Sequence, residues 1–369
     1  MTESLAGDAR LDRAAEMRDE ERLDPSRIAP FVRRALPDAA GPITILQFPN
    51  GHSNLTYLLR IGDREVVLRR PPFGVKVKTA HDMRREFDIL SALEGVYARA
   101  PKPIAFCDDD SVIGAKFYLM ERVRGVILRS DAPPPGIAFS PQLLRDVSTA
   151  LVDNLVDLHA VEVSRPPLCT MGRPQGYVAR QVTGWTERYR NAKTEEVPGI
   201  DAVAAWLSGN MPKESGAAVI HNDYKYDNVV LDPDDLSRVV SVLDWEMATI
   251  GDPLMDLGTF LGYWGDSDDP DELRVRAYGP TSLPGNLSRV QIVERYARQS
   301  GRAVADILFY YVFALFKIAV ILQQIYKRYV EGHTHDPRFA TLGHRVRLLS
   351  QQAERALERG RIDRLGWQR

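Results

Sequence analysis

The chain has 369 residues, of which 44% are hydrophobic and 27% are charged, a balance typical of a globular protein with two or more packed units. Its formal net charge of −2 excludes the overall basic field with which many proteins gather nucleic acid. Two cysteines, Cys107 and Cys169, are too few for a disulfide framework or a cysteine metal cluster, so we expect a cytoplasmic protein.

The N-terminal segment is rich in charge and has no apolar core of the kind that a secretory signal needs. Residues 1–27 are therefore expected to form a mobile arm or an exposed helix. We place the whole N-terminal arm or helix at residues 1–40. An N-terminal lobe at residues 41–122 and a C-terminal lobe at residues 123–369 are predicted to follow.

The N-terminal lobe is predicted to consist of short strands and one helix. Residues 46–60 predict strand, turn and strand, with the turn at residues 49–54. Residues 65–70 predict another strand, which ends at two prolines that cannot continue a central ladder. Residues 81–93 place apolar side chains at helical spacing. Residues 117–123 predict a strand that ends in charged residues.

The rest of the chain is predicted to be mainly helical. The run at residues 303–322 is long and apolar enough to be considered as a membrane span. Asp306 and Lys317 interrupt it, and both charges would be costly in lipid, so we expect a buried helix. Further helical patterns lie at residues 142–159, 176–193, 201–208 and 338–360.

One stretch of the C-terminal lobe spaces two carboxylates and an amide as phosphoryl transfer to a hydroxyl requires. In the protein-kinase pattern H-R-D-x-x-x-x-N, the Asp accepts the substrate's hydroxyl proton and the Asn binds metal, and a later Asp holds Mg²⁺. Asp223, Asn228 and Asp244 fall into those positions. The spacing therefore predicts a kinase.

The sequence around these residues also predicts how they are held. Residues 229–232 and 238–243 are short β-rich runs with a turn between them. They predict a hairpin that begins just after Asn228 and ends just before Asp244.

A kinase interpretation gives roles to the turn and strand of the N-terminal lobe. The turn that contains Gly51, Ser53 and Asn54 offers backbone N–H groups and small polar side chains that could cover nucleotide phosphates. On the next strand, a period of two puts Val67 and Arg69 on one face. By analogy with the kinase pattern V-A-I-K, Val67 would line the adenine pocket and Arg69 would meet the α and β phosphates.

Three further positions complete this interpretation. Glu86, on the predicted helix, is the candidate ion-pair partner of Arg69, which stands where most kinases have lysine. Met120 would lie behind the adenine, and Glu121 and Val123 would belong to the hinge between the lobes. Each feature also has a plain structural interpretation, as a hairpin turn, a solvated strand end or a surface carboxylate.

The sequence H-N-D-Y-K-Y-D-N at residues 221–228, followed by L-D-W-E-M-A-T-I-G-D-P-L-M-D-L at residues 243–257, resembles the aminoglycoside phosphotransferase and choline kinase superfamily. Within it, the chain is most similar to phosphotransferases related to the kinase-like domain joined to certain acyl-CoA dehydrogenases. The resemblance spans residues 40–350. It implies an α+β, two-lobed, protein-kinase-like fold with a small β-rich N-terminal lobe and a large, mainly helical C-terminal lobe.

The resemblance implies ATP and Mg²⁺ as cofactors and a role for each matched residue. Asp223 would be the catalytic base, and Asn228 and Asp244 would bind Mg²⁺. Asp256 would support the catalytic loop, and His221 is a further supporting residue.

The chain departs from the family pattern at two positions. The family usually has glycine at position 222, where this chain has Asn222, a residue type that also tolerates unusual backbone angles. The turn at residues 51–57 is similar to the family's G-Q-S-N-x-T-Y, with His52 in place of the common glutamine.

The resemblance places the acceptor on the helical lobe, with walls at residues 172–190, 245–246 and 263–272. The last wall contains five acidic residues, which form either a solvated loop or an attraction for a cationic acceptor such as an amino sugar or choline. The first wall contains four arginines that could bind a carboxylate or phosphate. The subgroup resemblance favours a hydroxyacyl compound or another small hydroxylated metabolite over an antibiotic.

We therefore predict an ATP- and Mg²⁺-dependent O-phosphotransferase that acts on a small-molecule hydroxyl, with no nucleic-acid or membrane partner. Two alternatives stay open, a nucleotide-binding pseudokinase that scaffolds a partner and an aminoglycoside-type antibiotic kinase. A protein kinase is less expected, because no A-P-E signature follows Asp244 and the chain is predicted to turn helical within a few residues of Pro253.

Overall fold

A computed structural model describes residues 9–49, 54–73, 82–274, 278–334 and 336–365. The chain divides into two compact units, and one boundary along the chain falls between Asp227 and Asn228. The predicted domain boundaries at residues 40 and 122 stay a prediction. Unit 1 comprises Met1–Ile127, Pro134–Gly136 and Asn228–Ala248, and unit 2 comprises Leu128–Pro133, Ile137–Asp227 and Thr249–Arg369.

Strands are concentrated in unit 1 and helices in unit 2. In the described residues the strands are β1 Ile43–Gln47, β2 Leu55–Ile61, β3 Arg64–Arg70, β4 Pro103–Cys107, β5 Phe117–Glu121, β6 Ala218–Ile220, β7 Val229–Leu231, β8 Val239–Val242 and β9 Thr249–Gly251. The α-helices are α1 Pro25–Ala35, α2 Met83–Leu93, α3 Pro141–His159, α4 Tyr177–Ala192, α5 Ile200–Gly209, α6 Pro253–Tyr263, α7 Asp271–Arg274, α8 Arg289–Ser300, α9 Ile307–Val330 and α10 Leu342–Arg359.

Unit 1 is built on a five-stranded antiparallel sheet with the strand order β1-β2-β3-β5-β4. Alternate residues of its strands, among them Leu59 and Leu68, join a buried hydrophobic cluster on one face. Helix α1 covers that face, and the Phe31 ring meets the Phe117 ring edge-on at 5.0 Å. By the same alternation Arg69 belongs to the opposite face.

The described part of the N-terminal arm is anchored to this sheet. Ala15 and Gln47 exchange backbone hydrogen bonds of 2.8 Å in an isolated bridge. The Tyr57 hydroxyl donates to the Glu21 carbonyl oxygen at 2.8 Å, and Leu23 is buried in the hydrophobic cluster. The expectation of a mobile arm or an exposed helix is therefore wrong for residues 15–23, because this charged segment also makes a few apolar and backbone contacts to β1 and β2.

Unit 2 is mainly helical and packs around α9, which contacts α4, α5, α6 and α10. Among the described residues α9 is the one helix long and apolar enough to cross a membrane, and 78% of its most apolar window is buried within the protein. The expectation of a buried helix is confirmed.

The other predicted elements agree with the structure within a few residues. One difference lies near the C-terminus, where a 3-10 helix at Pro337–Thr341 precedes α10, although the sequence predicted one continuous helix. His81, the predicted start of α2, lies outside the described residues. The α+β fold class, with a β-rich N-terminal part and a mainly helical C-terminal part, is confirmed.

Candidate active site

The predicted hairpin is present in unit 1. Strands β7 and β8 pair antiparallel, with Val229 opposite Val242. One step further along, the Leu243 N–H donates to the Asn228 carbonyl oxygen at 2.7 Å. Asn228 therefore lies at the start of the hairpin and Asp244 directly after its end, as the sequence predicted.

The turn that follows β8 gives Asp244 an unusual backbone conformation. Its φ of 70° and ψ of 63° lie in the left-handed region, which is uncommon for residues other than glycine. The buried Trp245 side chain fixes this turn, because its Nε1 donates to the Val242 carbonyl oxygen at 2.7 Å and its ring meets Tyr97 edge-on. Trp245 is 1% exposed and cannot form an acceptor wall, so that part of the prediction is wrong.

Arg69 is surrounded by carboxylates of unit 1. Its Nε lies 3.1 Å from Oε2 of Glu86 on α2, so the predicted ion pair is present. The same guanidinium pairs with Asp244 and lies 3.9 Å from Glu246. The Asn54 side chain donates to Glu246 at 2.6 Å, which brings this residue of the predicted phosphate-binding turn to the same cluster.

Burial and ion pairing have opposite effects on the pKa values of the charged residues in this cluster. Glu86 is 2% exposed, and burial raises its pKa, while Arg69 offsets part of that effect. Burial would lower the pKa of Arg69, but Asp244 and Glu86 outweigh it and hold that pKa above its usual range. Glu86 is therefore no surface carboxylate, and the phosphate-binding role of Arg69 stays a prediction.

The structure describes Val67, Met120, Glu121 and Val123 of the predicted nucleotide-binding residues. Val67 lies opposite Met120 in the β3–β5 ladder, and both side chains are buried. Glu121 is exposed and Val123 is half-buried. Gly51 and Ser53 lie outside the described residues. Adenine and phosphate contact by these residues stays a prediction.

The loop that follows β6 in unit 2 presents Asp223. Its start is held by Asp256 of α6, whose two carboxylate oxygens accept the backbone N–H groups of His221 and Asn222, each at 2.7 Å. The His159 ring contacts Asp256 through Nε2 at 3.2 Å. Burial alone would raise the pKa of Asp256, but these histidine and backbone contacts outweigh it and lower the pKa.

Asn222 adopts the left-handed conformation that the family's usual glycine would favour, with a φ of 64°. Its side-chain amide donates to the Tyr177 hydroxyl at 3.1 Å. Its carbonyl oxygen accepts from Nζ of Lys317 at 2.7 Å. Asparagine fits at this position because its backbone N–H, its backbone carbonyl oxygen and its side-chain amide all have hydrogen-bond partners.

Both carboxylate oxygens of Asp223 have cationic or hydroxyl partners. The Tyr263 hydroxyl donates to Oδ1 at 2.7 Å, and Nζ of Lys225 donates to Oδ2 at 2.6 Å. The Lys225 ammonium also lies over the rings of Tyr263 and Tyr278, at 4.7 and 5.5 Å. Burial raises the pKa of Asp223, but Lys225 and Tyr263 outweigh it and lower the pKa, so the carboxylate is ionised at neutral pH.

Sequence reasoning did not link Lys225, Lys317 or His159 to the Asp223 loop, and it named Tyr263 only as part of the third acceptor wall. Lys225 could have been found, because it lies two residues after Asp223 in the motif. The other three come from α6, α9 and α3, and no local pattern links them to the loop.

Two of the five acidic residues in the run beside Tyr263 are buried, Asp266 and Asp269, and the other three are exposed. Asp269 accepts from both terminal nitrogens of Arg289, at 2.5 and 2.6 Å, and Asp266 lies 3.5 Å from Nε of the same arginine. Arg289 is 1% exposed. Neither interpretation of this run, as a solvated loop or as an attraction for a cation, holds for these two carboxylates, because a buried arginine 20 residues away neutralises them.

A pocket of unit 2 opens beside Tyr263, so part of the predicted third wall does line a cavity. Its lining is mainly apolar and aromatic and includes Leu273, Tyr278 and Leu348. Arg345 contributes a positive charge. In the first wall, Arg180 bonds to the carbonyl oxygens of Arg173 and Gln175.

The donor chemistry of the hairpin fits Mg²⁺. Asn228 and Asp244 offer an amide and a carboxylate oxygen, the ligand type that Mg²⁺ prefers, and Mg²⁺ commonly takes only one or two protein ligands besides water and phosphate. The Asp244 side chain is 28% exposed. Across the described ranges, the hairpin included, no group of three or more His, Cys, Asp or Glu residues is arranged to hold a metal ion.

Comparison with known proteins agrees with this arrangement. The sequence profile of the family described as "Phosphotransferase enzyme family" matches residues 44–292. The chain is 35% identical over 296 residues to acyl-CoA dehydrogenase family member 10 of Mus musculus, covering 80% of this chain and 27% of that protein. It is 34% identical over 328 residues to human acyl-CoA dehydrogenase family member 11, covering 86% of this chain and 41% of that protein.

Solved structures show the same fold. A protein described as a "putative aminoglycoside phosphotransferase" from Ralstonia eutropha is 30% identical, with a TM-score of 0.77 and coverage of 92% of this chain and 99% of its own. Aminoglycoside phosphotransferase APH(4)-Ia, in complex with AMP-PNP and hygromycin B, is 16% identical and shows the fold alone, with a TM-score of 0.57 and coverage of 87% and 97%.

The chain belongs to this phosphotransferase family and has its kinase-like fold. The predicted resemblance to the kinase-like part of acyl-CoA dehydrogenase relatives is also confirmed. This chain spans about a quarter to two-fifths of the length of those relatives.

Proposed function

We propose that this protein transfers the γ-phosphoryl group of ATP to a hydroxyl of a small molecule, with Mg²⁺ as the metal. The observation that carries this proposal is the environment of Asp223, an ionised carboxylate whose side chain is 14% exposed, on a loop held by Asp256. Family membership supports phosphotransferase chemistry, and the AMP-PNP complex of APH(4)-Ia supports a nucleotide donor.

This proposal gives one role to each of the catalytic, metal-binding and phosphate-binding residues. Asp223 orients the acceptor hydroxyl and takes its proton, and Tyr263 and Lys225 hold the two carboxylate oxygens in place. Asn228 and Asp244 hold Mg²⁺, which neutralises phosphate charge when bound. Arg69 contacts the phosphates and is oriented by Glu86.

We further propose an acceptor that is anionic or neutral, such as a hydroxyacyl compound, and a cytoplasmic location. Lys225 and Lys317 place two positive charges at the Asp223 loop, and Arg289 neutralises Asp266 and Asp269, two of the acidic residues that would attract an amino sugar. The pocket has a volume of about 50 Å³, and its mainly apolar lining with Arg345 supports a short acyl group that carries an anionic group. The names of the acyl-CoA dehydrogenase relatives are in keeping with this class.

The experiment is a thermal-shift series with ATP and Mg²⁺, alone and with choline, homoserine, amino sugars or hydroxyacyl-CoA compounds, followed by ADP release for each hit. Acceptor-dependent ADP release with a hydroxyacyl compound supports the proposal. ADP release only with amino sugars would support an antibiotic kinase. Nucleotide stabilisation with no turnover on any acceptor would support the pseudokinase, in which Arg69 stays paired with Asp244.

A further inference from the structure

Lys317 is a charged side chain in the most apolar helix of unit 2. It lies in the middle of α9 between the buried Phe316 and Ile318, and it is 2% exposed. Lysine is almost never buried to this degree unless its charge is paired or used. Burial removes the Lys317 ammonium from water and thereby lowers its pKa to about 8. The ammonium is still charged at neutral pH.

The groups that act on this ammonium come from the Asp223 loop, from α4 and from α6. The negative charges of Asp223 and Asp256 favour its charged form, and the positive charges of Lys225 and Arg188 oppose it. The Trp185 ring of α4 lies 5.9 Å from Nζ. The charge of Lys317 is therefore favoured by the buried Asp256 and by the partly exposed Asp223.

The hydrogen bond from Lys317 acts on the peptide group that joins Asn222 to Asp223. Nζ donates to the Asn222 carbonyl oxygen at 2.7 Å, and the N–H of Asp223 in the same peptide plane donates to Nδ1 of His221 at 3.2 Å. Because a peptide group is planar, fixing its carbonyl also fixes the direction of its N–H. The plane that carries Asp223 is thus held from both sides.

This anchor matters because Asn222 is in the left-handed conformation, which non-glycine residues keep only where the surroundings impose it. Asp256 holds the N–H of Asn222 and Tyr177 holds its side chain. Among these contacts, the one from Lys317 reaches the peptide group of Asp223 itself.

We propose that Lys317 is a positioning residue of the reaction: it holds the Asn222 carbonyl and thereby sets the orientation in which the loop presents Asp223. The proposal rests on the proposed function, because it assigns the buried charge to the same reaction. It predicts that losing the ammonium loosens the loop and slows turnover, with little effect on ATP binding.

The test compares Lys317→Met with a matched control on the same helix, Gln323→Met. Gln323 is also buried, and its amide donates to the Ala192 carbonyl oxygen at 3.0 Å, away from the loop. Both changes remove a buried donor from α9, so a general packing defect would affect both. Lys317→Gln replaces the first variant if Lys317→Met does not fold by circular dichroism.

Two readouts are measured on the whole 369-residue chain. The first is hydrogen exchange of the backbone amides at residues 221–223, and the second is ADP release with ATP, Mg²⁺ and whichever panel acceptor the wild type turns over. For Lys317→Met we expect exchange to rise about tenfold or more. We expect kcat to fall by a similar factor while the KM for ATP stays within about twofold. Gln323→Met should leave both quantities near wild type.

Unchanged loop exchange in Lys317→Met would overturn the proposal, as would faster exchange with unchanged kcat. An equal loss of kcat in Gln323→Met would also overturn it, since a structural defect would then explain both. If the wild type turns over no acceptor, the proposed function has failed, and the exchange of residues 221–223 alone decides whether Lys317 holds the loop.

Discussion

Lys225 and Asp223 form a close ion pair, with Nζ of the lysine 2.6 Å from Oδ2 of the aspartate. The two residues are separated by one position in the chain, so a single loop supplies both the proposed base and the charge that keeps it ionised. Burial would otherwise raise the pKa of this carboxyl group.

Replacing Lys225 with methionine should shift the pH dependence of turnover. Lys225 lowers the pKa of Asp223, so its loss raises that pKa and protonates the base over a wider acidic range. The acid limb of kcat/KM should move to higher pH, measured from about pH 3 to 7, a range that includes the usual value for an aspartate. The exposed Lys213→Met is the control. An acid limb at the wild-type position in Lys225→Met would contradict this role.

Replacing Arg69 with methionine should destabilise unit 1. Arg69 and Glu86 are both buried, and removal of one partner of a buried ion pair leaves an uncompensated charge, at a cost of about 3–5 kcal/mol. Denaturant unfolding measures this cost. Because the destabilisation comes from the unpaired carboxylate of Glu86, the double variant Arg69→Met, Glu86→Gln removes that charge and should recover part of the stability. A double variant no more stable than the single one would show that the pair does not act as a unit.

Asp244→Asn should abolish the effect of Mg²⁺ on nucleotide binding. Wild-type protein should be stabilised more by ATP with Mg²⁺ than by ATP alone, because Asp244 is a proposed metal ligand. In the variant the two melting temperatures should coincide. Asp234→Asn, in the exposed turn of the same hairpin, is the control and should behave as wild type. A persistent Mg²⁺ effect in Asp244→Asn would remove Asp244 from the metal site.

Lys317 should make the protein more stable as the pH rises above neutrality. Its pKa of about 8 in the folded state is below the value of about 10.4 expected in the unfolded chain. Between these values the unfolded state binds more protons, so the free energy of unfolding rises with pH, by a contribution on the order of 2 kcal/mol. The rise should be absent in Lys317→Met when unfolding is measured between about pH 7.5 and 9.5. Parallel pH curves for the two proteins would show that this lysine keeps an ordinary pKa.

The sequence predicted those parts of the candidate site that lie in contiguous motifs. The hairpin with Asn228 and Asp244 at its ends follows from local β-rich runs, and the order of kinase elements was enough to pair Arg69 with Glu86. Such features depend on spacing along the chain, which a single sequence displays directly.

The remaining features depend on contacts between distant residues. Tyr263 and Lys317 reach the Asp223 loop from 40 and 95 positions away, and no periodicity marks such pairs. Asp266 and Asp269 were misinterpreted for the same reason, because their partner Arg289 lies 23 and 20 positions away. The N-terminal arm was misjudged because backbone contacts to β1 leave no signature in composition.

The most direct test of the proposed function is ADP release by wild type and Asp223→Asn, with ATP, Mg²⁺ and the acceptor found in the thermal-shift panel. The variant should keep its ATP·Mg²⁺ thermal shift, because Asn preserves the shape of the side chain. Its turnover should fall by about 10²–10⁴, the usual contribution of a general base. Full turnover in Asp223→Asn would contradict the assignment of Asp223 as the base.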